Sequence, residues 1–180
     1  MCCRERCGHH HLSSNGKFTY ALVGIGDDDA ATGDLDINDD LTITGNGEAN
    51  TIIDGNFIDR VFHILSGSTV SISGVTIQDG SPNNYSRELS TSGGGILNEG
   101  GILTLTSSTI IFNTTNNGGG ITNSSGTLRL VRSSVNSNTA NGLDYPGPVS
   151  FGQRGGGILN LSGTMTLINS TISGNVADFA

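Results

Sequence analysis

Three stretches alternate apolar residues with small polar ones: Gly101-Ile-Leu-Thr-Leu-Thr, Gly126-Thr-Leu-Arg-Leu-Val and Gly163-Thr-Met-Thr-Leu-Ile. Leu103 and Leu105 fall on one side and Thr104 on the other, which is the two-residue period of a half-buried strand. The pattern predicts strands of two to four residues, rich in Ile, Val and Thr and separated by Gly, Asn and Ser turns. No segment shows the 3.6-residue period of an amphipathic helix, and good helix formers are scarce. The fold class is all-β.

The strands come in copies. GGGILN at Gly93–Asn98 returns as GGGITN at Gly118–Asn123 and as GGGILN at Gly155–Asn160, after intervals of 25 and 37 residues. The excess lies in the run Gly142–Arg154, which holds Pro146 and Pro148 and reads as a bulging loop. With that loop set aside, Ile96, Ile121 and Ile158 correspond, as do Leu103, Leu128 and Met165, and Leu105, Leu130 and Leu167. Ser108, Ser133 and Ser170, then Ile110, Val135 and Ile172, then Asn113, Asn138 and Asn175 continue the register. A weaker copy, Val70, Ile72, Val75, Ile77 and Gly80, precedes Leu103, Leu105, Ser108, Ile110 and Asn113 by 33 residues, the excess falling in Ser81–Ser90.

A repeat near 25 residues suits a leucine-rich repeat, but its L-x-x-L-x-L-x-x-N core and helical return are missing. What remains is a solenoid: a parallel β-helix with about three short strands per coil and about six coils. Coils would stack about 4.8 Å apart, each residue above its counterpart. The triple glycines become a corner where the backbone turns tightly or lies against its neighbour. Asn98, Asn123 and Asn160 should form one amide ladder, and Asn113, Asn138 and Asn175 a second.

Composition agrees. Glycine makes up 28 of 180 residues, roughly twice the usual share of about 7%. Only 34% of residues are hydrophobic and none is Trp, thin for an ordinary globule but sufficient where each coil buries its few inward residues against the next. The net charge of −8, with eight Lys and Arg, excludes a phosphate-facing basic surface and so a nucleic-acid partner. No apolar run reaches the ~18 residues of a transmembrane span. Nor does MCCRERCGHHHLSS contain the apolar core of a signal peptide.

The units GGGILN…SSTIIFNTTN, GGGITN…SSVNSNTAN and GGGILN…NSTISGNVA resemble the polymorphic outer-membrane-protein repeats and related pectin-lyase-like, right-handed parallel β-helices. Residues Gly26–Gly80 resemble the opening coils of bacterial CSLREA-domain proteins, and Asn15–Gly26 the strand before them. The resemblance implies a secreted or cell-surface location. The Cys-bearing segment of that family has no match in residues 1–14, which are read as a disordered or non-native tail ahead of a β-helix over 15–180. Gly174–Ala180 lacks a cap, so the chain reads as a fragment of a longer array whose open end invites self-association.

Candidate chemistry is sparse. Cys2, Cys3, Cys7 and His9–His11 are metal-ligand types, but without C-x₂-C or H-x₃-H spacing they define no metal site. The acidic run from Asp27 to Asp40 reads as a solvated turn, with weak calcium binding as the alternative. Asp59-Arg60 reads as an exposed turn ahead of Val61 and Phe62, and His63 as a surface or satisfied strand histidine. Thr109, Ser134 and Thr171 form an outward hydroxyl column, while Arg129 interrupts that of Thr104 and Thr166.

No catalytic residue and no cofactor is therefore assigned. The reading is a non-catalytic structural or adhesive module that presents loops to glycans or surface proteins. The contact candidates are Tyr85 and Arg87 in one loop, and Tyr145, Phe151 and Arg154 in the other. The alternatives are a polysaccharide lyase or glycoside hydrolase of the pectin-lyase-like type, and a non-functional gene fragment.

Overall fold

The structure, a computed structural model, describes residues 8–11, 16–19, 33–82, 92–141 and 154–177, with the backbone alone at 8–11, 18 and 19. All regular structure among them is β, in six successive rows. The first row holds β1 (Gly8–His11) and β2 (Gly16–Thr19), and the second β3 (Leu35–Ile37), β4 (Leu41–Thr44) and β5 (Thr51–Asp54). The third holds β6 (Phe62–Ile64), β7 (Thr69–Ser73) and β8 (Thr76–Gln78). The fourth has β9 (Ile96–Glu99), β10 (Ile102–Thr106), β11 (Thr109–Ile111) and β12 (Thr114–Thr115). The fifth repeats this as β13 (Ile121–Ser124), β14 (Thr127–Val131), β15 (Ser134–Asn136) and β16 (Thr139–Ala140). The sixth does so again as β17 (Ile158–Leu161), β18 (Thr164–Ile168), β19 (Thr171–Ser173) and β20 (Val176–Ala177).

Each row gives one strand to each of several parallel sheets. One sheet runs β1-β4-β7-β10-β14-β18, a second β2-β5-β8-β11-β15-β19, a third β3-β6-β9-β13-β17 and a fourth β12-β16-β20. The strands of the first sheet in rows three to six are five residues long, longer than the alternation suggested, because the residues flanking the alternating core also pair. Rows four to six carry four strands rather than three, the extra strand of each row forming the short β12-β16-β20 ladder. Gly8–His11, within the stretch read as a tail, pair with Leu41–Thr44. The open N–H and C=O groups along β4 are a template that even a short segment can join.

The register follows the repeat. Leu103 lies beside Val70 and Leu128, and Leu128 beside Met165. Ile110 lies between Ile77 and Val135, and Ile121 between Ile96 and Ile158. These columns are the core: Ile72, Leu105, Leu130, Ile110 and Val135 are fully buried. Burial of each such side chain stabilises by about 1.5–3 kcal/mol. In the sixth row the same columns are uncovered, with Met165, Leu167 and Ile172 37–42% exposed.

Polar ladders hold the corners. Asn98 Nδ2 donates to Asn123 Oδ1 at 2.7 Å, and Asn123 Nδ2 to Asn160 Oδ1 at 2.7 Å. Each amide also donates to the carbonyl three residues on: Gly101, Gly126 and Gly163. In the second ladder the backbone N–H and Nδ2 of Asn113 both donate to Asn138 Oδ1, and those of Asn138 to Asn175 Oδ1. A third ladder of Ser108, Ser133 and Ser170 caps backbone N–H groups of the preceding rows. It follows a left-handed corner at Ser107, Arg132 and Asn169, whose φ values are 46°, 48° and 49°. Such a conformation costs an L-residue about 1–2 kcal/mol, which the adjacent hydroxyl bonds offset.

The triple glycine has two physical causes. Gly118 turns through φ 65°, a left-handed conformation. Gly119 is held by proximity instead, since a Cβ there would meet the Gly156 carbonyl oxygen of the next row.

Candidate functional site

Of the five loop residues singled out by sequence, Tyr85, Arg87, Tyr145 and Phe151 lie outside the described residues. Arg154 lies within them. It is exposed, bridges in parallel to Asn117, and its carbonyl accepts from the Gly118 N–H at 2.8 Å. That contact places it at the foot of the loop, where its chain rejoins the frame. Cys2, Cys3, Cys7 and Asp27–Asp29 are likewise outside, and His9–His11 are described by backbone alone.

The charged residues that are described converge where the sequence did not place them. The residues before β6 occupy the corner that later rows fill with glycine, since Phe62 pairs with Ile96. Here the corner holds Asp59 and Arg60, 2% and 3% exposed, so the exposed turn expected from the sequence is corrected. Val61 and Phe62 do enter the core beside them. Arg60 is buried because its partners are already in place. Its Nε lies 2.6 Å from Asp34 Oδ2 and 4.0 Å from Asp59 Oδ1, and Nη1 donates to the Ser92 carbonyl at 3.2 Å. The Ser81 N–H donates to the Asp59 carbonyl at 2.9 Å. The same corner thus touches Ser81 and Ser92, at the two ends of the first variable stretch.

Asp34 also departs from expectation. The acidic run is solvated at Asp39 and Asp40, but Asp34 is 2% exposed. Burial pushes its carboxyl up to about 7, against the pull of the Arg60 guanidinium.

His63, on β6, is a satisfied strand histidine, but a buried one. Its side chain stands above Asp36 of β3, with Nδ1 3.0 Å from Asp36 Oδ1 and Nε2 3.1 Å from Glu99 Oε2 at the end of β9. Burial disfavours its charged form, but the hydrogen bonds it donates to Asp36 and Glu99, with the Asp34 charge, outweigh burial and the Arg60 charge and hold its pKa above the usual histidine value. The Leu97 and Thr122 side chains in the same column are buried too, so this outer side of the sheet is covered.

A second cluster lies on the next sheet. Asp54 Oδ2 is 2.6 Å from Lys17 Nζ and accepts from Gln78 Nε2 at 2.7 Å, while Oδ1 accepts from the Asn56 N–H at 2.9 Å. Burial raises the pKa of Asp54, but these three partners together outweigh it and hold the carboxyl below the ordinary range. Burial and the Asp54 charge push neighbouring Asp79 up.

Among the described residues, Asp34, Asp36 and His63 are the set whose ligand atoms could converge on a metal, lying within 4.8 Å of one another. Each is already committed: Asp34 to Arg60, and Asp36 and His63 to each other. A guanidinium this close also repels a cation, so the arrangement fits an ion-pair network better than a metal centre. The hydroxyl columns are observed as expected, Thr109 beside Ser134 and Ser134 beside Thr171. Thr109 Oγ1 spends its donor on Glu48 Oε2 at 2.9 Å.

Sequence reasoning missed the corner network because its members recur in no other row. The one available signal was Arg60 itself, a charged residue directly ahead of an apolar run. No protein-family model matches the chain, and no curated protein or solved structure is significantly similar to it.

Proposed function

We propose that the six rows are successive coils of a right-handed parallel β-helix of the polymorphic outer-membrane-protein-repeat and CSLREA kind. In this reading the chain is a non-catalytic, secreted or cell-surface module that presents loops to glycans or surface proteins. Right-handedness rests on the general preference of parallel crossovers, which take that hand in about 98% of cases.

One observation carries the reading. The rows resume in register on the far side of both variable stretches: Ile77 pairs with Ile110, and Asn123 with Asn160. The frame therefore takes up insertions without shifting a column, which is what a scaffold for variable loops requires. The burial of Asp59 and His63 weighs against a carbohydrate-processing role for that pair, because a general base must reach its substrate.

The test is binding of the purified chain to immobilised cell-surface glycans and to whole cells. Joint replacement of Tyr85, Arg87, Tyr145, Phe151 and Arg154 by alanine is expected to weaken binding about tenfold or more, with unfolding unchanged. Binding that survives all five replacements sinks the loop assignment.

A further inference from the structure

We propose that His63 is a protonated clamp joining three successive rows, and that the joint loosens when the imidazolium loses its proton. Asp36 belongs to the second row, His63 to the third and Glu99 to the fourth, and both ring nitrogens face carboxylate oxygens, at 3.0 and 3.1 Å. An ionised carboxylate only accepts hydrogen bonds, and a neutral imidazole has a single N–H to donate. Two carboxylates on one ring therefore call for two N–H groups, which only the imidazolium has. Deprotonation would set a lone pair against one carboxylate and release that row.

The surroundings favour the charged ring. Facing it are Asp36 from β3 and Glu99 from β9, with Asp34, Asp59 and Arg60 at the adjoining corner. Four carboxylates against one guanidinium leave the cluster acidic, and His63 supplies the second positive charge. Asp36 and His63 have side chains 3% and 5% exposed, so solvent screens this contact little; Glu99, 48% exposed, is the weaker arm.

The sign of the linkage follows. The folded pKa of His63 lies above its unfolded value near 6.5. The stabilisation is thus fully present below about pH 6.5 and is lost as pH rises through the folded value. Asp34, raised to about 7, also makes stability fall with pH, chiefly between about pH 4 and 7, so the two windows meet near pH 7 and the His63 share is read as the difference from a His63 variant.

The experiment is an imidazole ¹⁵N NMR titration of the whole chain, with His63 assigned as the signal missing from His63→Leu. His63 is expected to stay doubly protonated above the free-histidine value near 6.5, and the Ser81 amide resonance to follow its midpoint, because that N–H is bound to the Asp59 carbonyl of the adjoining corner. Glu99→Gln should lower the midpoint. His63→Leu, a residue this column already holds at Leu97, should reduce the loss of stability as pH rises above about 6.5. A His63 midpoint at or below the free-histidine value near 6.5 overturns the clamp. So does a Ser81 amide indifferent to that midpoint. No ligand enters the test, so its failure leaves the loop-binding reading standing.

Discussion

Asn123 shows how much one residue of the frame carries. Its Nδ2 donates to Asn160 Oδ1 and to the Gly126 carbonyl, while its Oδ1 accepts from Asn98. Alanine there would cut both ladder links, while the Asn98 amide keeps the Gly101 and Thr127 carbonyls and the Gly126 carbonyl keeps the Thr164 N–H. Each hydrogen bond lost contributes about 0.5–1.5 kcal/mol. Asn123→Ala is therefore expected to lower unfolding stability by about 1–3 kcal/mol in urea denaturation. Asn175→Ala, in the sixth row, should cost clearly less, because that residue is only half-buried. Equal costs at the two positions would argue against the ladder as a source of stability.

The elements show what a sequence can and cannot announce. Strand positions, core columns and both asparagine ladders were legible because every residue's spatial neighbour is its own counterpart one repeat away. Leu103, Leu128 and Met165 advertise one another. The Asp34–Arg60–His63–Glu99 network was not legible, because its members lie in different rows and occur once each. Arg60 occupies a corner that later rows leave to glycine, so it needed Asp34 and Asp59 to enter, and no periodicity links those three. Removing one partner of a buried ion pair leaves the other unpaired, at about 3–5 kcal/mol. Arg60→Ala is expected to destabilise by that amount, and adding Asp34→Asn should recover part of it, since the orphaned charge is then gone. If the double variant is no more stable than Arg60→Ala, Asp34 is not the group that Arg60 compensates.

At the scale of the molecule, the account joins a periodic frame to two interruptions. The frame is built from columns that each row extends in parallel, and in the third to fifth rows the core columns are buried. Contact residues are therefore assigned to the variable stretches, and the loop foot at Arg154 is the one such residue with a described position. The central claim is that the rows stack in register at the repeat interval, and methyl–methyl NOEs in Ile/Leu/Val-labelled protein test it most directly. The account predicts cross-peaks between Leu103 and Leu128, Leu105 and Leu130, and Ile110 and Val135, each pair 25 residues apart. Cross-peaks displaced by one or more residues from that interval, or a pattern of purely local contacts, would contradict it.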